Sequence, residues 1–347
     1  MLYFLLFLNI ICSFIPLIAR NKQSGLRLSI ILIFMFLALR YNFGNDYMAY
    51  YDTFYSMSFN DRADADMELG YNLLCSLFEP LGFFSLQIFL AGIYCYALYR
   101  TIISYIKPRW YWLAILFIIS NPDLLFFGAS AFRQTLALSI ILLSIPYLQR
   151  KSIVYIFMVL LATQFHQSAM FFLLLYPLMF IKLNNQVFII LFGLLSIALM
   201  TVLKDQFYAL INIVLSSFEK YEARYGDSDL VLMESTLGIA IRMFFMVFFL
   251  YSLRKSENQI ISIFYILAVL CIVIFTMREQ VMLQRYTMYF GYMMSFSFIN
   301  VLETLKRKSV MTYAYIALVL FWHFRLALNF ASSTNSLFEY HTIFEIL

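Results

Sequence analysis

Charged residues are scarce in this chain of 347 residues. Asp, Glu, Lys and Arg together make up 12% of it, whereas hydrophobic residues make up 63% and aromatic residues 20%. A typical soluble domain carries about 25% charged residues, so the chain has too little charge to cover the surface of a soluble globule. The composition therefore excludes a soluble enzyme, a nucleic-acid-binding domain and a secreted disulfide scaffold. It predicts an all-α polytopic membrane protein.

Cysteine and histidine are also rare, with four and three residues respectively. The cysteines lie mostly in apolar runs without CxxC spacing, and no His, Cys or Asp cluster has the spacing of metal ligands. The chain contains no HExxH, GxGxxG, Walker A or GxSxG motif. We therefore expect buried free thiols, and neither a metal nor a cofactor.

Long apolar runs fill most of the sequence. A helix needs about 20 apolar residues to cross the hydrocarbon core of a bilayer, and about 12 runs meet or approach that length. They lie at 2–19, 26–40, 83–99, 110–128, 132–149, 152–165, 167–181, 186–203, 237–253, 260–277, 286–302 and 310–328. Without a convincing internal repeat, we expect one integral membrane domain over residues 1–347.

The positive charges predict the orientation of these spans. If the connection around Arg20 is cytoplasmic, most Lys and Arg fall on short connections on that same side, as the positive-inside rule expects, and most acids fall opposite. Two long connections, 41–82 and 204–236, are then external, and loops of that length usually carry function. Arginine outnumbers lysine on the external side. Because arginine binds phosphate through a planar fork, this excess predicts an anionic ligand there; pairing with the external acids is the alternative.

The first candidate site follows the second predicted span. Arg40 ends that span, Gly44 permits a tight turn, and Asp46 lies just beyond it. These residues predict either a paired, partly desolvated site or an interfacial anchor with a helix cap at Asp46. Glu68, before Gly70 near the end of the same loop, is either a second acid of this site or a first-turn acid of the next helix.

The second candidate is Arg133. Asn121 and Pro122 break the preceding helix, and small residues at 128–131 precede Phe132-Arg133-Gln134 and a long apolar run. This pattern predicts a helix N-terminus, where backbone N–H groups and the helix dipole assist a guanidinium in binding an anion. A charge at membrane depth is costly, which favours a function over a simple role at the membrane surface.

The third candidate is His166, in the segment Gln164-Phe165-His166-Gln167-Ser168. About 14 residues separate it from Lys151, enough for a helix of about 21 Å, and a similarly short run leads to Lys182. His166 is therefore predicted to lie at a hinge between two short helices, in a recess below the outer surface. His166 is either a proton acceptor or a hydrogen-bond donor to phosphate, or a hydrogen-bonded histidine of the bundle core.

Two further arginines flank a short external turn. Arg278 and Arg285 are seven residues apart, a spacing that suits a clamp for a pyrophosphate. The alternative is an ion pair between Arg285 and Glu279.

These landmarks, in this order and topology, resemble the EpsG family of Wzy-type polysaccharide polymerases. The resemblance is carried by Arg40/Gly44/Asp46, Glu68/Gly70, Phe132-Arg133-Gln134, Phe165-His166-Gln167-Ser168 and Arg285-Tyr286. It covers residues from about 28 to 290, whereas the chain beyond 300 matches in hydropathy alone.

The resemblance implies a membrane bundle similar to the GT-C glycosyltransferases, on the bacterial inner (cytoplasmic) membrane with its active site facing outwards. It implies undecaprenyl-pyrophosphate-linked oligosaccharide repeat units as donor and acceptor. The growing glycan would pass from its lipid pyrophosphate to the non-reducing-end hydroxyl of a new unit. The lipid bilayer and a chain-length regulator would be its other partners.

This chemistry gives each candidate residue a role. Arginines stabilise the charge of a pyrophosphate leaving group, and a general base takes the proton of the acceptor hydroxyl. The predicted site residues are His166, Asp46 and Glu68 for catalysis, and Arg133, Arg285, Arg40 and Arg278 for the pyrophosphate. His166 is the preferred base and Asp46 the alternative, while Arg40 and Asp46 would also organise the first loop.

Two other functions stay open from the sequence. A lipid-linked oligosaccharide flippase would place charged residues across the membrane midplane on repeat-related broken helices, whereas the charges here gather on the outer side. An O-antigen ligase or another GT-C glycosyltransferase would use a similar donor with a different acceptor.

Overall fold

The computed structural model describes residues 2–64, 67–207, 209, 236–276, 281–305, 309–331 and 340–345. These residues are almost entirely helical, with one small antiparallel sheet of two strands. This confirms the all-α class. The chain forms two compact units, residues 1–179 with 307–347 and residues 180–306. That the two act as one membrane domain over 1–347 stays a prediction.

The first unit contains most of the helices. They are α1 Leu2–Ile18, α2 Lys22–Ala38, α3 Tyr47–Ser56, α4 Phe59–Asp64, α5 Leu69–Phe78, α6 Phe83–Tyr105, α7 Tyr111–Ser120, α8 Pro122–Ser130, α9 Phe132–Gln149, α10 Val154–Thr163 and α11 Leu175–Leu178. Short 3-10 helices cover Glu79–Leu81, Pro108–Trp110, Gln167–Leu174 and Ile343–Glu345. Strand β1, Arg40–Tyr41, pairs with strand β2, His341–Thr342, from the C-terminal end of the chain.

The second unit contains four described helices. They are α12 Gln186–Met200, α13 Thr236–Lys255, α14 Gln259–Thr276 and α15 Val281–Thr304, and α16 Val310–Ala331 then returns to the first unit. Phe298 of α15 packs against Phe245 and Phe249 of α13, with ring centroids 4.8 and 5.2 Å apart. Aromatic packing therefore forms part of the core of this unit.

Local sequence signals explain several helix ends. The Asn21 side chain accepts hydrogen bonds from the backbone N–H groups of Gln23 and Ser24, so it caps α2. Helix α7 ends at Ser120 and α8 begins at Pro122, which confirms the break predicted at Asn121-Pro122. All four cysteines are buried and free.

The membrane spans are confirmed only in part. Among the described residues, α6 and α14 are long and apolar enough to cross a membrane, judged by length and composition. Shorter apolar helices cover 108–120, 154–163, 167–178, 186–200 and 310–325. The helical segments agree broadly with the predicted runs, but the count of twelve and the GT-C-like arrangement stay predictions.

The first predicted external loop is folded. Residues 41–82 form α3, α4, α5 and a 3-10 turn. Arg62 is buried and holds this segment together, because its guanidinium donates to Asn72 Oδ1 at 2.9 Å, to the Met57 carbonyl at 2.7 Å and to Ser76 Oγ at 3.0 Å. Most of the second predicted loop, 204–236, lies outside the described residues.

Candidate functional site

Gly44 brings the first loop against the segment that leads to Arg133. Its φ of +110° lies in the region that favours glycine. A Cβ on Gly44 would lie 2.4 Å from Ser130 Oγ and 3.0 Å from Ser130 Cα. The backbone N–H of Asn45 donates to that same Oγ at 3.2 Å. This turn can therefore approach Ser130 so closely only because residue 44 has no side chain.

Gly70 makes a second close approach, at the other end of the loop. Its backbone N–H donates to the carbonyl of Gln164 at 2.9 Å. A Cβ at this position would lie 2.7 Å from the same carbonyl oxygen. Glycine thus allows the start of α5 to lie directly on the chain that leads to His166. Gly44 therefore lies against the segment that leads to Arg133, and Gly70 lies against the segment that leads to His166.

These two contacts place Glu68 between Arg133 and His166. Arg133 Nη1 donates to Glu68 Oε2 at 2.5 Å, and Glu68 Oε1 lies 3.7 Å from His166 Nδ1. The Glu68 and His166 side chains are each 13% exposed, and the Arg133 side chain is 28% exposed. One carboxylate therefore faces a guanidinium and an imidazole at a place where all three side chains are mostly buried but still reached by solvent. We call this place the recess. We refer to Glu68, Arg133 and His166 as the central triad.

The local backbone matches the predictions for two members of the triad. Helix α9 begins at Phe132, so Arg133 lies in its first turn as predicted. Helix α10 ends at Thr163, and a 3-10 helix begins at Gln167 after His166 in an extended conformation. His166 therefore lies at a break between two helices, which confirms the predicted hinge.

Tyr50 closes one side of the recess. Its hydroxyl accepts a hydrogen bond from Arg133 Nε at 3.4 Å, and its ring stacks on Phe132 with centroids 4.9 Å apart. Tyr71 packs edge-on against the ring of Tyr50, with centroids 5.7 Å apart. Burial raises the pKa of the Tyr50 phenol, although the charge of Arg133 opposes the shift. Tyr50 therefore stays protonated at neutral pH, and its hydroxyl helps to orient the guanidinium of Arg133.

Arg40 is buried beside this site. It is 4% exposed, its guanidinium donates to the backbone carbonyls of Leu37 and Ala129, and it lies 4.9 Å from the ring centroid of Phe132. Arg40 therefore joins the end of α2 to the end of α8, one turn before Arg133. Binding of a pyrophosphate by Arg40 stays a prediction.

Asp46 lies on the outside of the same turn. It is exposed and occupies the N-cap position of α3 without a side-chain capping hydrogen bond. Asp46 is near enough to Tyr50 to act on it electrostatically. Its role as an alternative base stays a prediction.

Arg285 and Arg278 are the other two arginines that the sequence predicts as pyrophosphate ligands. Arg285 lies on α15 of the second unit, with a partly exposed side chain. Arg278 lies outside the described residues. Their roles as pyrophosphate ligands stay predictions.

The C-terminal end contributes contacts that the sequence did not indicate. Tyr340 stacks on Phe36 with ring centroids 4.8 Å apart, and its hydroxyl donates to the Phe36 carbonyl at 2.9 Å. The N–H of Ile343 donates to the Leu39 carbonyl at 3.0 Å. Together with the β1–β2 pairing, these contacts hold the segment that carries Arg40.

Comparison with known families decides the assignment. The model of the EpsG family matches residues 25–342, nearly the whole chain. The chain belongs to the EpsG family. Members of the EpsG family are Wzy-like polysaccharide polymerases, so this chain is a membrane-associated, glycosyltransferase-like enzyme of polysaccharide biosynthesis. No curated protein and no solved structure shows significant similarity to it.

Proposed function

We propose that this EpsG-family protein polymerises undecaprenyl-pyrophosphate-linked oligosaccharide repeat units on the outer face of the bacterial inner membrane. The observation that carries the proposal is the position of Glu68, which touches both Arg133 and His166 in one partly open recess. Polymerisation needs a site for a pyrophosphate leaving group and a base for a sugar hydroxyl. The central triad contains one candidate for each task.

His166 is the proposed general base. The oxygen of the acceptor hydroxyl attacks the anomeric carbon of the donor glycan, the bond from that carbon to the pyrophosphate oxygen breaks, and the hydroxyl proton passes to the imidazole. Glu68 lies 3.7 Å from His166 Nδ1. A carboxylate that faces that nitrogen stabilises the imidazolium that forms when the ring takes the proton.

Arg133 is the proposed ligand of the leaving pyrophosphate. It lies in the first turn of α9, where the helix dipole also favours an anion. Its Nη1 and Nε are used by Glu68 and Tyr50, while its Nη2 donates to no residue among those described. The side chain is the most exposed of the triad. Arg133 can thus stay fixed by Glu68 and still present donors to an oxyanion.

The first test is a gel of lipid-linked glycan from a strain that lacks the gene. The strain is complemented with the native protein, Arg133→Lys, Glu68→Gln or His166→Asn. Two controls change the same residue types at exposed positions outside the recess, Arg100→Lys and Glu79→Gln, and immunoblotting checks that all variants reach the membrane.

We expect single repeat units on the carrier without the gene, and a ladder of longer glycans with the native protein and both controls. Loss of the general base costs about 10²- to 10⁴-fold in rate and loss of a charge-stabilising donor about 10²- to 10³-fold, so the triad variants should give a short or absent ladder. If the strain instead accumulates lipid-linked units on the cytoplasmic leaflet, the protein is a flippase and these roles are wrong. A ladder that persists without the gene, while units fail to reach their final acceptor, would identify a ligase.

A further inference from the structure

A partly exposed aromatic surface lies beside α3. The ring of Tyr51 has its centroid 5.0 Å from that of Tyr55, 6.2 Å from Tyr41 and 6.3 Å from Phe84. Tyr55 is 57% exposed, and the other three side chains are partly exposed. We call these four residues the tyrosine face.

The tyrosine face borders the hydrophobic core of the loop and keeps part of its ring surface exposed. The inner side of α3 is formed by Tyr47, Tyr50 and Phe54, which are buried. The hydroxyls of Tyr41 and Tyr51 make no hydrogen bond to any residue in the described part of the chain. Both hydroxyls are therefore free to bond a ligand or water, at a place where ring surface is also accessible.

The charge beside this surface is acidic. Asp46 and Asp52 of the same loop are exposed, and Asp52 is close enough to Tyr51 to act on it electrostatically. The only basic residue of the 41–82 loop is Arg62, and it is buried. Aromatic residues also occur at membrane interfaces, but exposed carboxylates without exposed cations disfavour contact with anionic lipid headgroups.

Buried rings connect the tyrosine face to the segment that carries Arg133. Phe83 contacts Tyr51 at 5.2 Å between ring centroids, and it stacks on Phe132 at 5.7 Å. Phe132 immediately precedes Arg133, and Tyr50 immediately precedes Tyr51. One buried ring, that of Phe83, therefore separates the tyrosine face from the residue next to Arg133. A ligand of several sugar rings could reach from the central triad to this surface.

We propose that the tyrosine face binds the oligosaccharide part of the glycan substrate. Pyranose rings have apolar C–H faces that pack on aromatic rings, and hydroxyl edges that bond phenols and carboxylates. The tyrosine face supplies both kinds of group, with Asp52 as an acceptor at its side. The inference rests on the proposed function and adds to it the subsite that holds the sugars.

The test uses the purified protein in detergent and a probe without lipid or pyrophosphate. The probe is the repeat-unit oligosaccharide released from the polymer of the host strain, and binding is measured by saturation-transfer NMR during a titration. Tyr51→Ala is compared with Tyr51→Phe and with Tyr96→Ala, which removes an exposed tyrosine from α6. Thermal unfolding shows whether each variant is folded, and Tyr55→Ala replaces Tyr51→Ala if the latter is not.

We expect Tyr51→Ala or Tyr55→Ala to weaken binding of the oligosaccharide roughly five- to tenfold, which corresponds to the loss of one aromatic stacking contact. Tyr51→Phe should weaken it less, because the ring remains, and Tyr96→Ala should bind as the native protein does. Arg133→Ala should also bind normally, since the probe carries no pyrophosphate. Absence of binding by the native protein, or unchanged binding by the alanine variants, would overturn the inference.

The outcomes also separate this inference from the proposed function. If only the sugar subsite is wrong, the alanine variants polymerise glycan like the native protein while the triad variants do not. If the proposed function is wrong, the native protein does not elongate lipid-linked units at all, whatever its affinity for the oligosaccharide. Another outcome is that Tyr51→Ala binds the oligosaccharide as the native protein does and yet unfolds at a lower temperature in lipid vesicles, but not in detergent. That result would identify a role at the lipid interface and overturn the inference.

Discussion

Replacement of Gly70 by alanine tests how the first loop positions the central triad. The added Cβ would lie 2.7 Å from the carbonyl oxygen of Gln164 and 2.9 Å from its Cβ. Ordinary van der Waals contact begins at 3.4 Å, so the two segments must separate by about 0.7 Å, the difference between 3.4 and 2.7 Å. The obstacle is largely backbone and cannot rotate away.

This separation acts directly on the triad. Gly70 and Gln164 each lie two residues from a triad member, Glu68 and His166, and their hydrogen bond of 2.9 Å links the two segments. We expect Gly70→Ala to lengthen the distance between Glu68 and His166 and to lower the polymerisation rate by up to about 10²-fold, the cost of a displacement near 1 Å at a reacting centre. The stability loss should be about 1–3 kcal/mol, as for other overpacked sites.

Gly92→Ala provides the matched control. Its Cβ would meet only the Phe34 ring at 3.8 Å, inside α6, so the variant should keep both stability and activity. The assay measures elongation of lipid-linked units in membrane vesicles at equal protein amounts, with thermal unfolding of the purified variants. Full activity of Gly70→Ala at equal protein amounts would refute the positioning argument.

Three further predictions follow from the same contacts. Gly44→Ala should destabilise the protein by about 1–3 kcal/mol, because alanine is strained at φ +110° and its Cβ would overlap Ser130; an unchanged unfolding temperature would contradict this. Arg40→Met should lower the unfolding temperature and the polymerisation rate together, since it leaves the Leu37 and Ala129 carbonyls without their donor. If Arg40→Met instead keeps native stability and loses only affinity for the lipid pyrophosphate, Arg40 binds substrate. In a double-mutant cycle, Glu68→Gln with His166→Asn should be about as slow as the slower single variant, because residues that act as a unit are not additive; rate losses that multiply would show independent roles.

The positions of Arg133 and His166 could be predicted because each depends on local signals. The Asn121-Pro122 break and the run of small residues fix the start of the helix that carries Arg133. The short distance from Lys151 to His166 requires a break before a full span is completed. Both signals act through backbone geometry within one or two turns, so neighbouring residues suffice to reveal them.

The pairing within the site could not be predicted in the same way. Glu68 is separated from Arg133 by 65 residues, and no periodicity relates them. Gly44 indicates a turn, but which segment approaches Gly44 or Gly70 depends on the packing of the whole unit. For Arg40, the sequence left open a paired, partly desolvated site or an interfacial anchor, whereas the structure buries the guanidinium against backbone carbonyls that any residue could supply.

The most direct test of the central claim is elongation by the purified protein. Native protein, Glu68→Gln and Glu79→Gln are reconstituted in lipid vesicles with undecaprenyl-pyrophosphate-linked repeat units as the only substrate, and glycan length and released lipid pyrophosphate are measured together. With the native protein and with Glu79→Gln we predict longer glycans, and one lipid pyrophosphate released for each new glycosidic bond. With Glu68→Gln we predict a rate at least about 10²-fold lower. No elongation by the native protein, or elongation by Glu68→Gln at the native rate, would contradict the account.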